Sequence, residues 1–553
     1  MVINYCAYQN NRPSLLFSRF SEIPKDKATD SAPVIQHPTM ADEPAYTVKI
    51  LQPAPAPLPV PTRTVTNTPV VSVAATPRSE PIPAERTLSV SEVTTIFLKS
   101  LLQSAEDFLG KKVDGAVMSV PAWFNETQRA ALSKSAEDAG VKVLQLLDEA
   151  GAIAVATSQQ SMVLPPDRTQ LIVDLGASSL ELSLLSMRQG LAYSLAASSD
   201  PTVGGDQIDA KLIKFFAKEF TKKTKMPLTV APATDVQDKR AQAKLLLAVE
   251  HTKRTLSASP GAATCSVESL KDGLDFTGSI NRMRFDMEVR AVYNQVYDKV
   301  KELVEGAGLD LYDVDEVVYV GGSACLPGLD ETLAQGFPET LSTPFTAGTV
   351  VGGGVGDPTT ILARGCALQA QLLASLGEED VELKKSFERH SERLNVKATS
   401  KTIGVLFPEE NPNEGLGGQW IAVLSKETAV PCRRTVSFEV DLGEADSKKV
   451  GFEIWEVKEG VKIDKIKPPK IELDEEEADE EEDEDIEVKE KTVEKEAVLG
   501  SISLNTQAAV KKGDRWTTKL ELQFVVGLDG AVEVVVWEVG KRSEKISILL
   551  SAP

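Results

Sequence analysis

The chain is 553 residues long with 42% apolar and 26% charged residues, a balance that predicts a water-soluble protein of several domains. Its 82 acidic and 60 basic residues leave a net charge of −22, which argues against a duplex nucleic-acid binder, because phosphate contacts need basic surface. Nowhere do about 18 apolar residues follow one another, so no membrane span is expected, and Met1–Phe17 lacks the basic-then-apolar pattern of a secretory signal.

Residues 1–86 stand apart in composition. Nine prolines fall between Pro53 and Pro83, with Pro53, Pro55, Pro57 and Pro59 alternating. Alternating proline keeps the backbone extended and removes amide donors, so this stretch predicts a poorly ordered, polyproline-like linker. The functional alternative is a ligand for a proline-recognising domain.

Order is expected to begin at Ser89, where Ser89-Val-Ser-Glu92 forms a capping box. Val93, Phe97, Leu101, Ala105 and Phe108 follow at helical spacing, and Gly110 closes the helix. A strand over Ala116–Val120, a helix over Glu126–Ala139, a strand over Val141–Leu147 and a helix near Ala150–Ser158 come next. Strand Leu171–Asp174 passes through Gly176-Ala-Ser-Ser179 into strand Leu180–Ser186. Long helices near Val236–Ser257 and Met287–Ala307 complete an α/β pattern reaching about Leu376.

From about Lys397 short alternating stretches dominate, at Thr402–Phe407, Trp420–Leu424, Thr435–Val440, Gly451–Val457, Leu520–Val526 and Ala531–Trp537. They predict a β-sandwich over 397–553, joined to the α/β part by a linker over 378–396. Residues 472–487 hold 13 carboxylates in 16 positions. Like charges so packed resist folding, and a disordered acidic loop over 472–490 is expected. Contact with basic proteins is the functional alternative, confined by screening to about 8 Å. The five cysteines are scattered with no CxxC pair, which suggests neither a zinc site nor a disulfide framework and makes reduced cytosol the expected compartment.

The chemical signal is phosphate handling without a GxxxxGK[ST] loop. Asp174-Leu175-Gly176-Ala177-Ser178-Ser179 ends a strand in a tight turn whose amides approach a phosphate, and Asp174 is a candidate to hold magnesium through water. The ordinary reading of that segment is a hairpin. Val317–Ser323 runs a buried-looking strand into Gly321-Gly322-Ser323, and Gly204-Gly205-Asp206 precedes a helix whose N-terminus favours anions. Glu250, Lys253, Arg254 and Ser257 share one helical face. A polar stripe is ordinarily a solvated face, but the four elements in this order describe a two-lobed phosphate-binding cleft of the actin and sugar-kinase kind.

Ser119–Arg129, Asp174-Leu-Gly176, Gly204-Gly-Asp206, Glu250–Ser257 and Val318–Ser323 resemble the heat-shock protein 70 (DnaK-like) chaperone family over roughly Leu88 to Leu376, and more loosely to Pro553. The resemblance implies an actin-like, ribonuclease H-like nucleotide-binding domain over 87–377, holding ATP and Mg2+, then a β-rich region that binds extended peptide. It implies nucleotide contact by Gly176, Ser178, Ser179, Gly204, Gly205, Glu250, Lys253, Arg254, Ser257, Gly321, Gly322 and Ser323. Asp174 and Glu149 are the remnants of the catalytic set.

The departures bear on mechanism. The family opens with an Asp-Leu-Gly-Thr-Thr hairpin and a later essential lysine, and residues 1–86 supply neither, so the domain is expected to be incomplete at its N-terminus. The family's Gly-Gly-Thr is Ala177-Ser178-Ser179, its Glu-Pro-Thr is Glu149-Ala150-Gly151, its adenine-facing arginine is Cys325, and the aspartate of Asn-Pro-Asp is Thr359. Hydrolysis, which rests on positioning and charge stabilisation, is expected to be weak or absent. No acidic, leucine-rich linker and no helical lid are expected.

This pattern resembles the atypical branch found in the fungal ribosome-associated complex. That likeness implies a cytoplasmic, ribosome-associated co-chaperone paired with a J-protein of the zuotin type. It reaches the ribosome indirectly and stimulates a second heat-shock protein 70 that acts on the nascent polypeptide. The alternatives are an ATP-dependent foldase binding unfolded peptides directly, and a free peptide-binding module.

Overall fold

A computed structural model describes residues 19–22, 34–52, 82–158, 166–338, 340–348, 350, 356–377, 397–408, 416–444, 449–466, 486–512, 514–527 and 529–550. The chain divides into two compact units, Met1–Ile153 with Leu362–His390, and Ala154–Ile361 with Ser391–Pro553.

In the first unit β1 (Val34–Gln36), β2 (Pro44–Gln52) and β3 (Ile82–Ser89) form an antiparallel sheet, paired from Ala45↔Ser89 to Gln52↔Ile82. This corrects the expectation that order begins at Ser89. Tyr46-Thr-Val-Lys-Ile50 alternates as a strand should, but its partner lies beyond the proline-rich stretch, so no short turn signals the pairing. The expected linker itself, residues 53–81, lies outside the described residues.

Helix α1 (Val90–Leu109) starts directly from β3. The Glu92 amide donates to Ser89 Oγ at 3.2 Å and the Ser89 amide to Glu92 Oε2 at 2.9 Å, while Gly110 at φ 66° ends the helix. Strand β4 (Ala116–Val120) pairs in parallel with β5 (Val143–Asp148) through α2 (Glu126–Asp138), which Asn125 and Gln128 cap reciprocally. Leu98, Met118, Val120, Leu132 and Ala136 form the core of this unit. Helix α3 (Glu149–Ser158) carries the chain into the second unit, and the helix Ile361–Ser375 carries it back. Gly365 lies against the Ala152 carbonyl so closely that a Cβ there would overlap it.

In the second unit β6 (Asp167–Leu175), β7 (Leu180–Arg188) and β8 (Leu191–Asp200) form an antiparallel meander. Helices α4 (Gly205–Thr224) and α5 (Val236–Ala258), the hairpin β9 (Ala262–Lys271) to β10 (Leu274–Asn281), and α6 (Arg282–Gly306) follow. Helix α6 begins five residues before the sequence signal, because Asn281 caps it through the Arg284 amide. Strand β11 (Glu316–Val320) then joins the sheet in parallel on the far side of β6, giving the order β11-β6-β7-β8, and α7 (Pro327–Ala334) follows it.

Two larger antiparallel sheets and one two-stranded pair make up the described C-terminal region. Its strands are β12 (Lys397–Ala398), β13 (Thr402–Pro408), β14 (Gly418–Leu424), β15 (Ala429–Val430), β16 (Cys432–Gly443), β17 (Lys449–Ile466), β18 (Ile486–Asn505), β19 (Val510–Lys512), β20 (Arg515–Val526), β21 (Val532–Glu538) and β22 (Ile546–Leu550). They pair as β14-β13-β17-β18, as β16-β20-β21-β22 with β19 also on β20, and as β12-β15. Val405, Phe452 and Ile454 of the first sheet share one core with Leu520, Phe524 and Val534 of the second.

The expected loop over 472–490 needs correction at its end, since β18 begins at Ile486. The carboxylate run stops there, and Val488-Lys-Glu-Lys-Thr-Val493 alternates well enough to pair with β17. The rest of that run and the expected linker 378–396 lie outside the described residues. No helix among the described residues is long and apolar enough to cross a membrane.

Two glycines allow a test of this packing. Gly365→Ala is expected to cost about 1–3 kcal/mol through overlap with the Ala152 carbonyl. Gly306→Ala, which meets nothing within 4 Å at the end of α6, is expected to gain up to about 1 kcal/mol. Urea midpoints of the two variants moving in the same direction would contradict it.

Candidate functional site

The candidate residues of the second unit converge because β6 and β11 run side by side and end together. Their register pairs Val320 with Asp174. The next residue, Gly321, sits at φ 89° with its Cα facing the Leu175 carbonyl and the Asp174 carboxylate. A side chain there would be strained in its backbone and would overlap both groups. The Gly321 amide donates to the Pro358 carbonyl at 3.0 Å, while the Thr359 hydroxyl donates to Asp357 Oδ1 at 2.7 Å.

Gly176 to Ser179 form a closed turn, with the Gly176 amide donating to the Ser179 carbonyl at 3.0 Å. The N-terminus of α4 lies directly on this turn. The Gly205 amide donates to the Gly176 carbonyl at 3.0 Å and the Asp206 amide to the Ala177 carbonyl at 2.7 Å. A Cβ on Gly204 would come within 2.6 Å of the Ala177 carbonyl, and one on Gly205 would overlap Ser323 Oγ. Gly176, Ser178, Ser179, Gly204, Gly205, Gly321 and Ser323 are therefore gathered at one place, and Gly322 beside them faces open space. The sequence did not reveal that two α4 amides are engaged by the turn and so are not offered to an anion.

The site also contains a carboxylate that sequence reasoning missed. Glu181 on β7 stands directly opposite Asp174. A charged residue between Leu180 and Leu182 was the available signal. Asp174 reaches the surface but is ringed by protein, and burial, then the Glu181 charge, push its carboxyl up to about 7. Two facing carboxylates of this kind suit a divalent cation that keeps its waters. Among the described residues no cluster of three or more potential metal ligands occurs.

The α5 residues join the same place through α4. Lys253 Nζ lies 2.8 Å from Asp209 Oδ1 and 2.8 Å from Glu250 Oε2. Burial opposes the lysine charge, but Asp209 and Glu250 outweigh it and hold Lys253 above the ordinary lysine range. Arg254 Nε donates to Glu250 Oε1 at 2.8 Å from a largely exposed position, and Ser257 Oγ donates to the Arg254 carbonyl. Asp209, also missed from sequence, lies one helical turn beyond Gly205 and so links the α5 stripe to the helix end that meets the Gly176–Ser179 turn. Cys325, in place of the family's arginine, carries a thiol raised to about 11 by burial and then by Asp357. Glu149 opens α3 in the first unit, next to Asp148, which pairs with Arg129 at 2.5 Å.

A glycine-lined turn, paired carboxylates and an ion-paired helical stripe in this topology agree with the comparison to known proteins. The family model described as Hsp70 protein matches residues 65–386, more than half of the chain. The chain belongs to the Hsp70 family. This Hsp70 is 35% identical over 425 residues to a heat shock protein 70 homolog of Schizosaccharomyces pombe, covering 76% of this chain and 70% of that protein. It is 31% identical over 360 residues to the ribosome-associated complex subunit SSZ1 of Saccharomyces cerevisiae, covering 65% of this chain and 62% of that one. Over 252 residues it is 34% identical to a ribosome-associated molecular chaperone of the same budding yeast, covering 46% of this chain and 40% of that one. The matched segment thus spans less than two thirds of both of these budding-yeast relatives. The α/β part is the actin-like ATPase domain of a family of chaperones, followed by a sheet-rich region.

The raised carboxyl gives a prediction with a definite sign. Asp174 contributes stability that is fully present below its ordinary value of 3.8 and is lost as pH rises through about 7. Asp174→Asn cannot ionise and escapes that loss. In buffer free of divalent cations, its stability relative to wild type is expected to be higher at pH 8 than at pH 5 by about 2–3 kcal/mol. Urea unfolding at both values measures this, and an unchanged or smaller difference at pH 8 would contradict it.

Proposed function

We propose that this Hsp70 is a nucleotide-holding scaffold and co-chaperone, paired with a J-protein of the zuotin type at the ribosome. It stimulates a second Hsp70 that acts on nascent polypeptides, and turns over little ATP itself. The observation that carries the reading is the engagement of the Gly205 and Asp206 amides by the Gly176 and Ala177 carbonyls. Phosphoryl transfer needs donors aimed at developing charge, and a helix N-terminus already bonded to its own turn has fewer to give. Similarity to the ribosome-associated complex subunit SSZ1 and to the ribosome-associated molecular chaperone of the same yeast supports the cellular setting, in the cytoplasm.

In this reading Glu250, Lys253, Arg254 and Ser257 hold the nucleoside. Gly176, Ser178, Ser179, Gly204, Gly205, Gly321, Gly322 and Ser323 line the phosphates, and Asp174 with Glu181 holds Mg2+ through water. The donor set fits that group: the facing carboxylates suit a cation, and Gly204, Gly205 and Gly321 leave no room for side chains. A bound magnesium nucleotide would supply the charge that relieves the Asp174–Glu181 repulsion. The nucleotide-binding domain runs to about 377, with a linker over 378–396 and a peptide-binding-like region over 397–553.

The test is purification of the tagged chain from its own cells on a sucrose gradient. A near-stoichiometric J-protein in the ribosomal fractions is expected, together with steady-state ATP turnover well below that of an ordinary family member. A lone chain at the top of the gradient, or turnover at the ordinary family rate, would overturn the reading.

A further inference from the structure

Helix α4 has two faces of opposite character. Ile208, Leu212, Ile213, Phe216, Ala217 and Phe220 are buried and fix it to the core of its unit. On the other side Lys211, Lys214, Lys218, Lys222 and Lys225 follow one another at steps of three or four residues, and all five are exposed. At about 3.6 residues per turn such steps keep the five in one file about 21 Å long. Gln207 and Thr221 share that file, and no acidic or apolar residue does. Among the described residues none of the five lysines has an ion pair. Asp209, the acid nearest Lys211 along the helix, is engaged by Lys253 at 2.8 Å. Lys223 lies off the file and donates to the Thr277 carbonyl at 2.6 Å.

The folding of α4 does not account for this row. Like charges three or four residues apart destabilise a helix. The negative end of the helix dipole favours Lys222 and Lys225, but its effect falls off within the last turn, and Lys211, Lys214 and Lys218 lie further back. In a chain with 82 acidic and 60 basic residues, five unbalanced lysines in line are a local reversal of sign. Screening limits opposing charge elsewhere to about 8 Å, so a ligand on this face meets the lysines first.

We infer that this face of α4 is a docking surface for the phosphodiester backbone of RNA, bound without regard to base sequence. Protein–protein interfaces are depleted in lysine and centre on apolar residues, which the row lacks. A bilayer surface is gripped by apolar side chains set into it, and the row has none to insert. A nucleic-acid backbone requires only positive groups repeated along a line. With no aromatic residue in the file there is no platform for bases, so the affinity comes from phosphates alone. The net charge of −22 confines such contact to this face. RNA is the polyanion of the ribosomal setting proposed above, and in that respect the inference rests on that reading; the row and its charge do not.

Fluorescence anisotropy of labelled oligouridine, titrated with the full chain purified without partners, tests it. Binding is expected at about 50 mM salt, with log K falling against log salt at a slope of about 3–4 for five lysines. The variant Lys211→Gln, Lys214→Gln, Lys218→Gln keeps the helix propensity and relieves like-charge repulsion, so it is expected to fold and to melt no lower than wild type. It is expected to bind at least about tenfold more weakly, with the slope reduced by about 2. Lys99→Gln, Lys111→Gln, Lys112→Gln removes the same charge from exposed positions of the other unit and is expected to leave binding nearly unchanged. No binding at low salt overturns the inference, as does an equal loss in both triple variants. Displacement by polyglutamate as efficient as by unlabelled oligouridine, or tighter binding to phosphatidylserine vesicles, overturns the assignment to RNA. A chain that binds oligouridine through this row and yet stays at the top of the sucrose gradient would remove the scaffold reading and leave the docking surface standing.

Discussion

A buried ion pair, Arg168 Nε to Glu316 Oε2 at 2.7 Å, ties β6 to β11 inside the larger unit. Gln170 donates to the same carboxylate oxygen at 2.7 Å and to the Thr157 hydroxyl at 3.0 Å, so the pair sits in a hydrogen-bonded group that includes the end of α3. Burying two charges contributes little net stability, but it penalises any register that separates them. A slip of one residue would also turn the buried apolar side chains of the two strands to the opposite face, so the ion pair and the apolar packing specify the same register. With the pair in place, Val320 must lie beside Asp174, and Gly321 must turn against the Leu175 carbonyl. The glycines of the site are consequences of that register.

The sequence is legible where partners are close in the chain. Ser89 with Glu92 is a capping box read from four residues and present in the structure, and the structure adds a second at Asn125 with Gln128. The α5 stripe is legible for the same reason, since Glu250, Lys253 and Arg254 meet within one helical turn and the next. Legibility fails when the partner is distant. Asp209 lies 44 residues from Lys253, and nothing local marks it as the group that neutralises that lysine. Arg434 and Asp167 are 267 residues apart. Strands β2 and β3 went unread because their connection carries no turn signal, and the start of β18 because its charges look like a continuation of the acidic run. Glu181 is the exception, a carboxylate in an apolar strand that periodicity alone exposes.

Several charged and donor groups around the turn are already committed to one another. Lys253 is committed to Asp209 and Glu250 on both sides, so it is a fixed part of the α4–α5 interface and not a mobile cation seeking phosphate. The α4 N-terminus has given two amides to the Gly176–Ser179 turn. Asp174 faces Glu181 across the hairpin, and Gly322 faces open space.

The Gly176–Ser179 turn and the contacts that the C-terminal region makes with Asp167 lie at opposite ends of one strand. Strand β6 is central in its sheet, apolar through its middle and charged at its ends. Coupling between distant sites requires an element with two arrangements of similar free energy. Neither end of β6 offers one: the Gly321 side is packed to the limit of a missing Cβ, and the Arg434 side would strand a buried charge if Asp167 withdrew. The physical expectation is a surface held at constant orientation, which is what a partner-binding scaffold requires.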